Sequence, residues 1–192
     1  MKKVCVFCAS SSKIDTVYLS ASKTLGEILA QNNIAIVYGA GAVGSMGYLA
    51  NGALSKKGKV IGVIPQFMVD LEWAHTGLSE LKIVKNMAQR KSLMIKGTDA
   101  VIALPGGSGT FEELFETMSL KRLGLYLKPI IIVNIHGFYD PCIELLNRCI
   151  TERFMNKRHK TMWTVVNSSE EVLPAIWNAP PWPENSRNFA VI

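Results

Sequence analysis

With 192 residues, 48% hydrophobic and 19% charged, the chain has the composition of one folded domain and not of a disordered or fibrous polypeptide. Its net charge of +6 suits an anionic ligand, but the basic residues are scattered; the densest group, Lys157, Arg158, His159 and Lys160, reads as a solvated turn, so no nucleic-acid partner is expected. The apolar stretch 4–9 behind Met1-Lys2-Lys3 is too short for a secretory segment and no apolar run reaches membrane-spanning length, so a cytoplasmic protein with no membrane partner is expected.

Along the chain, short β-branched runs alternate with helical periodicity. Strands are expected at 3–9, 34–38, 59–65, 100–104, 130–134 and 162–166. Helices are expected at 15–32, 44–57, 86–97, 109–124, 140–154 and 168–177. Unbroken apolar strands such as Ile130-Ile131-Ile132-Val133 must be buried on both faces. The alternation therefore predicts an α/β fold: a Rossmann-like parallel sheet with helices on both faces, in a single domain over 1–178. Segment 66–84, with Glu72, Trp73, His75 and Glu80, is the least regular; it follows a strand and so falls where ligand crevices form. The tail 179–192, with Pro180, Pro181 and Pro183, is expected to be irregular and docked through Trp182.

Cys5 and Cys8 have CxxC spacing, but on a strand residues three apart face opposite sides. Neither a second CxxC nor a nearby histidine completes a site. With Cys142 and Cys149 they are expected to be small buried side chains in a reducing compartment. His75, His136 and His159 form no i, i+4 pair, so no metal is expected.

The strongest signal is Leu104-Pro105-Gly106-Gly107-Ser108-Gly109-Thr110-Phe111-Glu112-Glu113. It follows an apolar strand and opens a helix, whose free N–H groups and dipole suit a phosphate. A second turn, from Tyr38 through Gly39, Gly41 and Gly44, has G-x-G-x-x-G spacing. A dinucleotide site would place that motif after the first strand, with an acid at the end of the next; here it follows the second strand, and the next ends Pro65-Gln66. Two such turns, with Cys8-Ala9-Ser10-Ser11 at the same edge, fit a mononucleotide better.

In the helix after Pro105, Phe111, Leu114, Phe115 and Met118 are expected to face the sheet, with Glu113, Glu116, Thr117 and Leu120 on the other side. Leu120 there hints at a covering subunit. Glu113 stands one turn from the phosphate position, within reach of a ribose. Met87, Arg90 and Met94 form one stripe of the helix 86–97. An arginine among methionines is either a snorkelling surface residue or a bidentate ligand for phosphate or carboxylate.

These residues resemble a known family. Pro105 to Glu113 matches the PGGxGTxxE signature of the Lonely Guy proteins, cytokinin riboside 5′-monophosphate phosphoribohydrolases often labelled lysine decarboxylases. The similarity extends to the Cys8-Ala9-Ser10-Ser11 start, the turn 37–47, Gly62-Val63-Ile64-Pro65, Met87-Ala88-Gln89-Arg90-Lys91 and Gly137-Phe138-Tyr139-Asp140. The resemblance implies hydrolysis of a nucleoside 5′-monophosphate to free base and ribose 5-phosphate, by a homodimer needing no cofactor. It implies Arg90 and Glu113 as catalytic residues. Gly106, Gly107, Gly109 and Thr110 would hold the phosphate, and Lys91 and Glu80 would contact substrate. Ser11, Gly41, Gly44, Met87 and Ser108 complete the candidate substrate-binding set. Ala9, Ala40 and Ala42 stand where the family commonly has glycine, Ser108 where tyrosine is frequent, and Leu120 and Arg122 where plant-like members have tryptophan and glutamine. These departures leave Arg90 and Glu113 intact and bear on base preference. The alternative is a nucleotide or molybdenum-cofactor carrier of the same fold, which would bind without turnover.

Overall fold

β-branched runs with no polar interruption form the centre of the sheet. The computed structural model, which describes residues 1–71 and 73–190, has seven strands among them: β1 (Lys3–Phe7), β2 (Ala35–Tyr38), β3 (Val60–Pro65), β4 (Glu80–Val84), β5 (Ala100–Ala103), β6 (Ile130–Val133) and β7 (Thr164–Val166). They pair in the order β4-β3-β2-β1-β5-β6-β7, every neighbour parallel. Parallel strands need crossovers, which helices supply: α1 (Thr16–Gln31), α2 (Gly44–Ser55), α3 (Gln66–Asp70), α4 (Met87–Ile95), α5 (Ser108–Arg122), α6 (Asp140–Thr151) and α7 (Val172–Trp177). The fold is Rossmann-like. Leu25, Leu29, Leu49 and Leu173 of α1, α2 and α7 cover one face of the sheet. Met94, Leu114, Met118, Leu146 and Ile150 of α4, α5 and α6 cover the other. Cys5 and Cys8, both buried and unpaired, belong to opposite faces. Among the described residues no helix is long and apolar enough to cross a membrane.

The irregular segment expected at 66–84 instead holds α3 and the edge strand β4. The strand escapes a sequence reading because its alternation is inverted: Leu81 and Ile83 are exposed, and Glu80 and Lys82 take the half-buried positions. Glu72, and Val191 and Ile192 of the tail, lie outside the described residues.

The expected faces of α5 also need correction. Its buried stripe is Thr110, Glu113, Leu114, Thr117, Met118 and Lys121, while Phe115 is exposed. Glu113 and Thr117 thus point inward. The helix turns a partly polar face inward because Arg90 meets Glu113 there, and Thr117 Oγ1 donates to the Glu113 carbonyl at 2.8 Å. Leu120 is half-buried against the same side of the core.

The tail folds back onto the far end of α5. Trp182 is buried, its Nε1 donates to the Lys121 carbonyl at 2.7 Å, and its ring meets Phe189 edge-on at 5.7 Å. Ser186–Phe189 make a 3-10 turn. Trp182→Ala is expected to cost roughly 3–5 kcal/mol, read as a lower urea midpoint at unchanged slope; a cost below about 1 kcal/mol would show the tail to be dispensable.

Candidate active site

Strand order reverses between β1 and β5: the chain runs outward through β2, β3 and β4 on one side and through β6 and β7 on the other. Loops leaving the carboxyl ends of β1 and β5 therefore diverge and open a crevice. Residues 8–11 line it from β1, and the turn after Tyr38 adjoins it.

From β5 the chain passes through Pro105 and Gly106 into α5. The first N–H groups of a helix have no intrahelical partner, and at the start of α5 no capping side chain takes them up. At Gly107 and Gly109 an added Cβ would meet open space, so a ligand can reach the backbone. The turn is braced from behind. Tyr139 Oη donates to the Leu104 carbonyl at 2.8 Å, and Phe111 stacks on Phe138 with centroids 6.2 Å apart.

Asn86 caps α4 by accepting from Gln89 N at 2.9 Å. One turn later Arg90 enters the molecule, only 6% exposed. Its Nε donates to the Val63 carbonyl at 3.1 Å, Nη2 to the Gly39 carbonyl at 3.4 Å, and Nη1 to Glu113 Oε1 at 2.9 Å. A Cβ at Gly39 would sit 2.0 Å from Arg90 Nη2; glycine is required there because the guanidinium occupies the side-chain space. A guanidinium has five N–H donors, so some remain for a ligand.

Glu113 is 5% exposed. Burial pushes its carboxyl up to about 7, against the opposing pull of Arg90. Near neutral pH this group both holds and releases a proton, as an acid–base catalyst needs. Burial also raises the Cys8 thiol well above its ordinary value, so Cys8 stays protonated beside the pair.

Two cavities meet at Arg90. The smaller, about 280 Å³, is polar and lies at the start of α5; Cys8, Ser10, Ser11, Gly107, Ser108, Gly109, Thr110 and Glu113 line it. The larger, about 420 Å³, is apolar and bounded by Gly41, Val43, Met46, Ile64, Met68, Trp73 and Met87. Ser10, Met46, Arg90 and Gly109 belong to both. The loop after α3 closes the apolar side: Gly41 pairs with Ala74, and the Trp73 carbonyl accepts from Ala42 N at 3.2 Å. His75 holds this loop, its Nδ1 accepting from Gly77 N at 3.0 Å and its Nε2 facing Asn51 Oδ1 at 3.0 Å.

Of the expected site residues, the structure brings Arg90, Glu113, Ser11, Gly41, Met87, Gly107, Ser108, Gly109 and Thr110 to these cavities. Gly106 sits behind Thr110, where a Cβ would lie 2.1 Å from Oγ1. Gly44, at φ +60°, packs on the Ser10–Ser11 backbone and shapes the crevice without lining it. Glu80 is not brought to the site: it opens β4 at the opposite, amino edge of the sheet and pairs with Lys82 at 3.3 Å and Lys59 at 3.8 Å. Lys91 lines neither cavity. The sequence reading did not single out Val43, Met46, Ile64 or Met68 for the apolar wall, because scattered aliphatic residues carry no motif.

The family profile described as "Possible lysine decarboxylase" matches residues 46–176. A protein of Rhodococcoides fascians named cytokinin riboside 5′-monophosphate phosphoribohydrolase is 40% identical over 176 residues, 91% of this chain and 89% of that one. An Arabidopsis thaliana protein of the same name is 35% identical over 180 residues, 94% of this chain and 84% of its own. Among solved structures, the molybdenum cofactor binding protein of Rippkaea orientalis superimposes with a TM-score of 0.71 over 92% of this chain and 96% of that one. At 18% identity that likeness is one of fold alone.

Proposed function

The chain belongs to the Lonely Guy family of cytokinin riboside 5′-monophosphate phosphoribohydrolases, and from that membership we propose that it hydrolyses the N-glycosidic bond of a nucleoside 5′-monophosphate, with Arg90 and Glu113 as its catalytic residues. The observation that carries the reading is the buried Arg90–Glu113 pair, set where a polar cavity and an apolar one meet.

In this reading the 5′-phosphate sits at the uncapped start of α5, held by backbone N–H groups and the hydroxyls of Ser11, Ser108 and Thr110. The base lies in the apolar cavity, where Met46, Met87 and Trp73 present surfaces for a planar ring and an aliphatic substituent. The ribose spans the two, beside Glu113. As the C1′–N bond breaks, the pair of electrons leaves with the base and positive charge grows on the sugar. Ionised Glu113 stabilises that charge and accepts a proton from the attacking water, whose oxygen bonds to C1′; the proton passes to the departing base. Arg90 fixes the carboxylate and offers its remaining donors to the substrate. The products are free base and ribose 5-phosphate.

The decarboxylase description of the family profile fits these residues poorly. Pyridoxal chemistry needs a Schiff-base lysine, and neither cavity is lined by one. We further propose a homodimer in the cytoplasm. Phe115, Leu123 and Leu125, exposed on and after α5, offer an apolar surface for a second copy, and four unpaired cysteines suit a reducing compartment. Sedimentation equilibrium at twice the chain mass would support the assembly.

Incubation with AMP and with isopentenyladenosine monophosphate, followed by product analysis, tests the reaction. Free base with ribose 5-phosphate is expected. Intact nucleotide with saturable binding would instead make the protein a carrier. The activity should also rise with pH through an acid limb near 7, the value to which burial lifts Glu113, because the carboxylate is the working form. A flat profile from pH 5 to about 9 would remove Glu113 from that role.

A further inference from the structure

Arg90 and Lys91 are neighbours on α4 but face different surroundings. Arg90 turns inward to Glu113. Lys91 reaches across the outside of α5, where its Nζ pairs with Glu112 and, at 3.0 Å, with Glu116. Those two carboxylates stand one helical turn apart and bracket Glu113 in sequence. The Lys91 side chain is only 17% exposed, so its stem is packed and its head is placed. The backbones of α4 and α5 stay apart, α4 leaning on β3 and α5 on β1. The approach of Arg90 to Glu113 is thus set by side chains that reach between two helices supported by different strands.

We propose that Lys91 is a positioning residue: by holding Glu112 and Glu116 it docks the first turns of α5 onto α4 and sets how Arg90 meets Glu113. This rests on the reading of Arg90 and Glu113 as the catalytic pair. It replaces the substrate contact that the family resemblance implies for Lys91. The electrostatics agree with the geometry. Glu112 and Glu116 each raise the proton affinity of Glu113 and Lys91 lowers it, while the hydrogen bonds to Glu112 and Glu116 raise the proton affinity of Lys91 itself. Lys91 therefore stays charged and offsets part of the effect of the two outer carboxylates on Glu113. Because Glu112 and Glu116 are exposed to solvent, these bridges add little to global stability, and their effect belongs in the pH response and the turnover of the site.

The test compares full-length wild type, Lys91→Arg, Lys91→Met and the triple variant Lys91→Met/Glu112→Gln/Glu116→Gln. Two readouts are taken: steady-state kinetics on a nucleoside monophosphate, and the titration of the Glu113 side-chain carboxyl followed by ¹³C NMR. Lys91→Met should lower kcat about tenfold with KM changed by less than about twofold, and move the Glu113 midpoint to higher pH. Lys91→Arg should keep most of the activity. The triple variant should bring back the midpoint, because the outer carboxylates are gone, but not kcat, because no bridge docks α5 onto α4. In Lys91→Met, a large rise in KM with kcat and midpoint unmoved would make Lys91 a substrate contact, and full recovery of kcat in the triple variant would make its action one of charge alone; either result would overturn the proposal. If wild type releases no base, the proposed reaction fails, and the NMR midpoints alone still decide whether Lys91 acts on Glu113.

Discussion

Glu113→Gln should lower kcat for base release by roughly 10³-fold while leaving nucleotide binding and the fold in place. Glutamine matches glutamate in size, and its carbonyl oxygen can still accept from Arg90 Nη1, where the native contact is 2.9 Å. What it cannot do is carry negative charge beside the sugar or take a proton from water. The loss should therefore fall on the chemical step, with KM nearly unchanged. Single-turnover release of adenine from AMP, set beside equilibrium binding of the same nucleotide, separates the two. Turnover within about tenfold of wild type would show that another group does the chemistry.

Arg90→Met carries the second large effect, and it falls on stability as well as activity. The substitution leaves the Val63 and Gly39 carbonyls without their donors and strands Glu113 in the interior. Removing one partner of a buried pair costs roughly 3–5 kcal/mol, or about 10 °C in Tm for a chain of this size. The penalty depends on pH. Without the guanidinium the carboxyl of Glu113, already raised by burial, climbs further. A carboxyl whose folded value lies above its unfolded one favours the folded state at low pH, and that contribution is lost as pH rises through the folded value. Arg90→Met should thus be closer to wild type in urea at pH 5 than at pH 8, and adding Glu113→Gln should recover part of the loss at pH 8. Equal penalties at both pH values would mean that the stranded charge is not the cause.

Much of this was legible in the sequence, for physical reasons. The five central strands declare themselves because burial on both faces demands unbroken apolar runs, as in Ile130–Val133. The glycine turns after β2 and β5 declare themselves because backbone must lie close to a guanidinium or a ligand. The edge strand β4 was hidden because its apolar residues point to solvent. The inward face of α5 was hidden because Glu113 is buried by a partner 23 residues away, which no local periodicity records. The same holds for the apolar cavity, whose wall is gathered from the turn after β2 and from β3, α2, α3 and α4. Glu80 entered the candidate set through the family resemblance, which carries no sheet direction; its place at the start of the parallel strand β4 puts it at the edge opposite the crevice.

One departure in the sequence has a visible cost. Ala40, where the family commonly has glycine, is buried at φ +64°, a backbone state that disfavours a side chain by roughly 1 kcal/mol.

The parallel sheet also constrains how the protein reaches its working form. β1 lies at the centre, and its partner β5 joins it through pairs such as Val4 with Ala100. No hairpin can seed that ladder; the chain must first close a long loop, at an entropic cost repaid only when the core forms. The crevice sits on that seam. Nucleotide binding should therefore return late in refolding from urea, after helical signal has recovered, and nucleotide added during refolding should leave the rate of the early phase unchanged while pulling the final equilibrium toward the native state.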